Sequence, residues 1–408
     1  GSFLGQVFNG GRGTSYQASE FYRESSAVAI AVDTIAKEVE NIRPVVEMGD
    51  GILSMDHEIL ELLKNPNEFE DYREFIGRLC RNFLLNHDAF IYAEGPVERP
   101  PINIFAASNV DVTITENGDD RYPGLYTISN GIAGGSYGRS TTRRQTRFYD
   151  GNMKEIYQIH GYSSRSQNTF ADSPLEAAAL EVRQQIMGNN HNIKIIDNGG
   201  RLSLGVVVKQ QIPEDKFQEF KKSVNEQFQG SENAGKIAVF SAPDMEIKEF
   251  GQSNKDMDYS QLQKASREAI FMRYNVPLPL VSADRQTFNN FDRAIEDLYD
   301  RAVLPYTNIL FSGLTKMLKP RFGNSFERIT FNPEEITALK GRLLDELKTR
   351  VQINIETINE LRQGLPNREP LVGADQLLRP ANLIPIADDV FTGDDPIQVL
   401  DREDLVDQ

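Results

Sequence analysis

The sequence predicts an α+β protein made of several successive segments. Short runs with strand-forming residues in alternation, such as Ile156 to His160, are typical of strands. Longer stretches have apolar residues three, four or seven positions apart, which is the spacing of an amphipathic helix. With 408 residues the chain is long enough for two or three domains. The longest helices are expected after residue 173.

The first 115 residues alternate between the two patterns and predict a mixed α+β unit. Val28, Val32, Ile35 and Val39 mark one face of the first helix. Residues 116–170 are rich in Gly, Ser, Asn and Arg, which indicates long surface loops between hairpins. The elements predicted in the first unit span residues 20–39, 42–46, 58–63, 71–85, 89–93 and 102–115.

The pattern changes at Ser173 and Pro174. Serine is a favoured helix N-cap and proline suits the first helical position, so a helix is expected to begin here. Continued over residues 174–198, this helix would be about 37 Å long. Its apolar stripe is narrow, and a long helix of this kind usually packs against neighbouring helices rather than inside a globule. The stripe consists of Leu175, Ala179, Val182, Ile186, Ile193 and Ile196.

The second half of the chain predicts a small α/β insert followed by further helices. Pro305 lies within one long predicted helix and is expected to kink it, because proline lacks the N–H and clashes with the preceding turn. A proline-bearing segment, residues 276–290, precedes that helix. The predicted strands are 206–208, 236–240 and 245–250, and the predicted helices are 214–229, 259–274, 291–318, 333–349 and 355–362.

The charge of the chain argues against tight binding to nucleic acid. Its formal net charge is −16, which opposes the phosphate neutralisation that drives such binding. Part of the excess lies in residues 388–408, where eight acidic side chains accompany one arginine, and an acidic disordered tail is expected over residues 386–408. An acidic surface suits a channel through which DNA slides without sticking. The sequence has no run of eighteen apolar residues, so no membrane span is expected.

No motif in the sequence predicts an enzyme, a metal or a cofactor. Residues 230–237 approach a phosphate-binding loop, but Ile237 replaces the hydroxyl residue that holds Mg²⁺, and the helix precedes the strand. The four histidines lack metal-ligand spacing, and Cys80 is the only cysteine. Four carboxylates suggest either a nuclease metal site or a solvated helix face, and their helical spacing favours the face. They are Asp292, Glu296, Asp297 and Asp300.

Several short motifs follow one another in order through the second half. They are a strand ending at His160, Ser173-Pro174-Leu175-Glu176-Ala177-Ala178, Asn233-Ala234-Gly235-Lys236, the helix 259–274, the run 274–280, Phe288-Asn289-Asn290-Phe291, Leu304-Pro305, and 357–366. This ordered series resembles the phage portal family of the long-tailed siphovirus type. The resemblance covers residues 27–385.

The resemblance implies a portal fold in which each segment has a role. A mixed α/β wing faces the capsid, and a two-helix stem carries a small α/β clip. A tunnel loop projects into a central channel, a long kinked helix returns to the wing, and an α-helical crown lies inside the shell. The implied segments are the wing (1–172), first stem helix (173–200), clip (201–256), second stem helix (257–275), tunnel loop (276–290), kinked wing helix (291–332), crown (333–385) and acidic disordered tail (386–408).

The tunnel loop supplies the candidate functional residues that the resemblance implies. Ser282 stands where the family often has glycine. The residues from Asp284 to Thr287 are polar, and the hypothesis is that they contact the DNA backbone transiently. The candidate channel residues are Ser282, Ala283, Asp284, Arg285, Gln286 and Thr287, and Pro305 is the candidate helix kink.

The resemblance also implies a non-enzymatic ring subunit at one capsid vertex. Twelve copies would form the channel for packaging and ejection of double-stranded DNA, which passes without sequence-specific binding. The implied partners are the major capsid protein, the large terminase subunit, a head–tail adaptor protein, and a scaffold or protease during assembly. The location would be the portal vertex of the virion, after assembly in the bacterial host cytoplasm, with no membrane involved. The alternatives are a metal-dependent phage nuclease or packaging ATPase, and another ring-forming structural protein such as an adaptor.

Overall fold

The computed structural model has an α+β architecture, as the sequence predicts. Contacts divide the chain into two compact units, residues 1–41 with 62–322, and residues 42–61 with 323–408. The structure describes residues 12–49, 51–109, 111–116, 123–128, 147–149, 155–164, 170–197, 204–208, 213, 218, 222, 245–249, 259–282, 288–353, 356–363 and 371–375.

The larger unit contains most of the helices and three of the sheets in the described part of the chain. Its helices are α1 (Arg12–Glu24), α2 (Ser26–Asn41), α4 (Tyr72–Asn86), α5 (Pro174–Ala177), α6 (Ala179–Asp197), α7 (Tyr259–Arg273), α8 (Leu278–Val281), α9 (Phe288–Leu298) and α10 (Leu304–Leu318). Its strands are β3 (Asp88–Glu94), β4 (Asn103–Ala107), β5 (Val112–Glu116), β6 (Pro123–Ile128), β7 (Arg147–Tyr149), β8 (Ile156–His160), β9 (Leu204–Val208) and β10 (Met245–Glu249). Helix α3 (Glu58–Lys64) crosses the sequence boundary between the two units.

Helix α4 is central to the larger unit because it packs against both α2 and β3. The Asp71 side chain accepts the Glu74 N–H and the Glu74 side chain accepts the Asp71 N–H, a capping box that fixes the start of α4. The helix ends at His87, whose φ of 55° is left-handed. On the α2 side, the Arg81 guanidinium bridges Asp33 at 2.8 Å and Glu40 at 2.6 Å.

Two three-stranded antiparallel sheets share the main core of this unit. Their strand orders are β4-β3-β8 and β5-β6-β7. The central strand β3 is buried from Asp88 to Ala93, which explains why it reads as an apolar run rather than as an alternating one. Helix α10 packs on β8 so closely that a Cβ on Gly313 would overlap the Ile159 side chain. The shared core consists of Phe90, Tyr92, Phe105, Ala107, Val112, Tyr126, Ile128 and Ile156.

The smaller unit is built on a three-stranded sheet in which β1 (Pro44–Glu47) lies between β11 (Arg328–Phe331) and β2 (Leu53–Ser54). Pro44 pairs with Phe331 and Val46 pairs with Ser54, so strands far apart in sequence close this sheet. In the last described part of the chain, the Asn359 side chain donates hydrogen bonds to the Leu371 carbonyl at 2.9 Å and to the Asp375 carboxylate at 2.7 Å. The elements of the unit are β1 (Pro44–Glu47), β2 (Leu53–Ser54), β11 (Arg328–Phe331), α11 (Lys340–Ile353) and α12 (Ile358–Gln363).

Four predicted segments differ from the observed ones. The first predicted helix is two helices separated at Ser25, and the helix predicted over 174–198 breaks at Ala178, whose φ of −101° and ψ of 11° are not helical. The prediction of a helix from Pro333 was wrong in its first turns. Short 3₁₀ turns precede α11 because Ile336 is extended, which interrupts the α-helical bonding. The fourth difference lies in residues 276–290, where helix α8 forms and α9 begins at Phe288.

None of the helices in the described part of the chain has the length and apolarity needed to span a bilayer.

Candidate functional site

Helices α6 and α7 form an antiparallel pair, and α7 ends nine residues before Ser282, the first candidate channel residue. The Ser266 hydroxyl donates to the Gln184 side chain at 3.1 Å. One turn further along, the Gln263 amide donates to Asn189 at 3.2 Å. The helices approach closely here, as a Cβ placed on Gly188 would lie only 2.9 Å from the Gln263 amide nitrogen. The contact between the two helices is therefore largely polar at this level.

The opposite end of the helix pair is anchored to the corner between α4 and β3. The Ser173 hydroxyl donates to the Leu85 carbonyl at 2.5 Å and accepts the Leu175 N–H as the N-cap of α5. Just after α7, the buried Tyr274 hydroxyl donates to the Leu84 carbonyl at 3.2 Å. The start of α5 and the end of α7 are therefore hydrogen-bonded to two neighbouring residues of α4.

A direct contact joins the two anchored ends to each other. The Arg273 guanidinium, in the last turn of α7, donates to the Pro174 carbonyl at 3.0 Å. The anchor is thus a three-way junction of α4, α5 and α7.

The buried carboxylate of Asp88 holds the chain segment that leads into this helix pair. Its Oδ1 accepts a hydrogen bond from His160 Nδ1 at 2.7 Å and another from the Gln158 amide at 3.0 Å. Its Oδ2 accepts the Ala171 N–H at 2.5 Å. Asp88 is 1% exposed, so these donors replace the water that the carboxylate has lost.

The pKa values of the two histidines beside Asp88 are shifted in opposite directions. The hydrogen bond to Asp88 raises the pKa of His160. Burial lowers the pKa of His87, and the positive charge of Arg273 lowers it further. Sequence reasoning missed this cluster because Asp88 lies 72 residues from His160 and 83 from Ala171, so no local motif marks it.

Of the six candidate channel residues in the predicted tunnel loop, Ser282 lies within the described residues and Ala283 to Thr287 lie outside them. Ser282 ends the short helix α8, and its N–H donates to the Leu278 carbonyl at 2.9 Å. Its side chain is half-buried. The roles assigned to Ser282 and to residues 283–287 stay predictions.

Pro305 follows a local change of helix type. Residues Tyr299–Val303 form a π-helical turn between α9 and α10, and the Leu304 N–H donates to the Tyr299 carbonyl, five residues back. A π turn accommodates a proline because the widened ring of bonds moves backbone carbonyls away from the pyrrolidine. The Tyr299 hydroxyl donates to Glu38 at 2.7 Å, which ties this turn to α2. A bend of the helix at Pro305 stays a prediction.

The carboxylates that suggested a metal site lie along α9 and the π turn. Asp292 and Asp300 are exposed, and Asp297 forms an ion pair with Arg301 at 2.5 Å. Within the described residues no group of His, Cys, Asp or Glu has a geometry that would hold a metal ion. The near phosphate-binding loop, residues 230–237, lies outside the described residues.

Comparison with protein families identifies the fold. A family model described as "Phage portal protein" matches residues 26–365 of this chain. The chain belongs to the phage portal protein family. A relative of this portal protein from Rickettsia bellii (strain RML369-C), described as an uncharacterized protein, is 23% identical over 352 residues, which cover 85% of this chain and 88% of the relative.

Solved structures share the portal fold at low sequence identity. A chain from the neck of an empty gene transfer agent particle matches with a TM-score of 0.63 at 19% identity, covering 86% of this portal protein and 94% of that chain. The neck of the native particle, solved with C12 symmetry, matches with a TM-score of 0.62 at 19% identity, covering 87% and 94%. An HK97-family phage portal protein from Corynebacterium diphtheriae matches with a TM-score of 0.54 at 13% identity, covering 80% and 96%. These matches confirm the predicted portal fold.

Proposed function

We propose that this portal protein is a ring-forming structural subunit whose twelve copies surround a channel for double-stranded DNA at one vertex of a phage capsid. The observation that carries the proposal is the portal-family match over residues 26–365. The C12 symmetry of the matched gene transfer agent neck supports the twelve-fold ring. The ring would serve both the packaging and the ejection of the genome.

The segments of the chain take the roles of a portal subunit in this proposal. Helices α6 and α7 are the stem, and the chain between them is the clip. Two strands of that intervening segment support a small folded insert, because β9 and β10 pair antiparallel with Met245 opposite Val208. The remaining roles are the wing for 1–172 with the kinked helix 291–332, the tunnel loop for 276–290, the crown for 333–385 and the acidic tail for 386–408.

The charge of the chain fits a channel that does not retain DNA. A net charge of −16 on each copy, repeated around a ring, makes the assembly repel phosphate overall. The charge is uneven, however, since α7 carries Lys264, Arg267 and Arg273 against one acidic residue, Glu268. This helix of the proposed stem would therefore repel phosphate less than the chain as a whole.

Residues of the tunnel loop are the proposed points of transient DNA contact. The residues Asp284, Arg285, Gln286 and Thr287 follow Ser282, which is the last described residue in the first part of the loop. Deletion of residues 284–287 should reduce DNA packaging or retention while leaving ring assembly intact. Unchanged packaging and retention in the deletion variant would contradict this role.

The proposed partners follow from the position of such a ring in a particle. They are the major capsid protein, the large terminase subunit during packaging, a head–tail adaptor afterwards, and a scaffold or protease during assembly. The matched solved structures are components of particle necks and virions, which supports a location at the portal vertex of the virion. Assembly in the bacterial host cytoplasm completes the proposal.

The proposal includes a non-enzymatic role, since the portal family is a structural family. The alternative is a metal-dependent phage nuclease or packaging ATPase. Incubation of the purified protein with ATP, and with duplex DNA in Mg²⁺ or Mn²⁺, should give no turnover and no cleavage. Activity in either assay, lost on substitution of Lys236 or Asp292, would favour the alternative.

Native mass spectrometry combined with negative-stain electron microscopy tests the ring directly. The expected result is a closed ring of about twelve copies of the 46.0 kDa chain around a central hole. A stable compact dimer with enzymatic activity would contradict the proposal.

A further inference from the structure

A histidine lies beside the three-way junction of α4, α5 and α7. His87 is the C-cap of α4 and has a left-handed φ of 55°. The centre of its ring lies 5.7 Å from that of the Phe83 ring, and a Cβ placed on Gly161 would lie 3.3 Å from the His87 Cγ. The ring also makes a hydrogen bond with the Asp172 backbone. It is therefore packed between α4, the end of β8 and the segment that leads into α5.

Charged groups of both signs act on the His87 ring. The Arg273 guanidinium in the last turn of α7 disfavours a proton on the ring, whereas the carboxylates of Asp88 and Asp172 favour one. Burial and the charge of Arg273 outweigh the carboxylates and lower the pKa of His87 below 6.5. The neutral ring is therefore the favoured form in the folded chain near neutral pH.

Two further titratable side chains belong to these surroundings. Tyr306 on α10 contacts the Phe83 ring, with ring centres 6.1 Å apart, and burial raises its pKa above 10.0, so it is neutral. His160 on β8 donates to Asp88, and this hydrogen bond raises its pKa above 6.5. His160 is therefore protonated at a higher pH than His87, and its charge offsets that of Asp88 when His87 titrates.

The Arg273 side chain that acts on His87 also holds α7 to α5. Its guanidinium donates to the Pro174 carbonyl at 3.0 Å. The neighbouring Tyr274 hydroxyl donates to the Leu84 carbonyl at 3.2 Å, and neither of those two groups is charged. A proton on His87 therefore opposes the first of these two hydrogen bonds and leaves the second unaffected.

We propose that His87 is a proton-sensitive latch between α4 and the α6/α7 pair. The protonated ring repels the Arg273 guanidinium and gains water by leaving its packed position, so the hydrogen bond to the Pro174 carbonyl is lost while Tyr274 stays anchored. The closed junction has its full stability above pH 6.5 and loses it as the pH falls from 6.5 through the lower pKa of the folded state. The inference goes beyond the proposed function, because it makes the attachment of the proposed stem depend on proton concentration.

Hydrogen exchange of the full chain, corrected for the intrinsic effect of pH on exchange, tests the latch. From about pH 7.5 to about pH 5.5, the protection of residues 270–276 should fall at least about threefold in the wild type. His87→Asn should show no such fall, because asparagine tolerates a left-handed φ and does not titrate. His191→Gln, on α6, is the matched control and should keep the full response. Unchanged wild-type protection, or an equal fall in His87→Asn, would overturn the inference.

Substitution of Arg273 gives an independent measurement that leaves the left-handed position intact. Arg273→Gln removes the positive charge, so the fall in protection between the two pH values should be at most about half of that in the wild type. Arg273→Lys keeps the charge and is the matched control, which should retain the wild-type response. A fall in Arg273→Gln as large as in the wild type, or none in Arg273→Lys, would contradict the repulsion on which the latch depends.

Discussion

The larger unit contains two regions with opposite packing, the body around α2, α4 and β3 and the helix pair α6/α7. In the body, Phe75, Phe90 and Ile35 are fully buried, and the partly buried Arg81 forms ion pairs with two carboxylates of α2. In the helix pair, two hydrogen bonds join polar side chains of the two helices, and Leu180 and Met187 are exposed. The body therefore buries its large apolar side chains within a single chain, whereas the helix pair leaves some of its large apolar side chains exposed.

Truncation of a large apolar side chain should separate the two regions most clearly. Phe90→Ala should lower the free energy of unfolding by about 3–5 kcal/mol, because Phe90 is fully buried in the core shared by two sheets. Leu180→Ala should change it by less than about 0.5 kcal/mol in the dissociated protomer, because that leucine is exposed. Urea denaturation followed by circular dichroism measures both. Similar losses for the two variants would break the comparison.

The Asp88 cluster connects the two regions. Removal of the Asp88 carboxylate should have the second-largest effect on stability. Asp88→Ala should cost about 2–3 kcal/mol, because the Ala171 N–H and the Gln158 amide lose their acceptor inside the protein. Asp297→Ala, in a half-exposed ion pair with Arg301, is the control and should cost less than about 0.5 kcal/mol. Hydrogen exchange at residues 160–164 and 170–173 should rise in Asp88→Ala alone. Unchanged exchange there would show that the cluster does not hold this segment.

Replacing a glycine by alanine should have different effects on stability in the two regions. Gly313→Ala should destabilise the protein by about 1–2 kcal/mol, because its Cβ would overlap the buried Ile159 side chain. Gly188→Ala should be neutral or stabilising by up to about 1 kcal/mol, since alanine favours the helix and the Cβ meets the flexible end of Gln263. Thermal midpoints of the two variants would decide the matter. A clear loss at Gly188 would mean that the pair is packed as rigidly as the body.

The smallest expected effect is a pH dependence from His160. Its pKa is higher in the folded chain than the unfolded value of 6.5, so its protonated form stabilises the fold. That contribution is full below pH 6.5 and is lost as the pH rises through the folded pKa. The stability difference between wild type and His160→Gln should therefore shrink from pH 5.5 to pH 8.5. A difference that grows with pH would contradict the assignment, and His87, present in both proteins, cancels in the comparison.

Much of the local structure could be predicted from the sequence because short-range rules determine it. Ile156 to His160 alternates and forms β8, and Ser173 with Pro174 begins α5. The breaks at Ser25 and Ala178 could not be predicted, because the flanking sequences have good helical spacing on both sides. At Ser25 the hydroxyl contacts the Gln185 side chain, 160 residues away, which no local pattern reveals.

The candidate site was predicted only in outline. The sequence places a helix before the insert and another after it, and the narrow stripe on the first predicts packing against neighbours. It does not indicate that polar side chains would meet between the helices. That outcome depends on which side of each helix faces its neighbour, and this depends on contacts far apart in sequence, such as those of Ser173 and Tyr274 with α4.

By itself the sequence determined the α+β class, the order of the motifs that mark the portal family and the acidic charge, since each follows from composition or from patterns within a few residues. Only the tertiary structure decided where Asp88 finds its donors, how α5 and α7 join α4, and which large apolar side chains of the α6/α7 pair remain exposed. The physical reason is distance along the chain. Contacts between residues 70 to 190 positions apart depend on how the elements pack, and packing is a property of the whole unit.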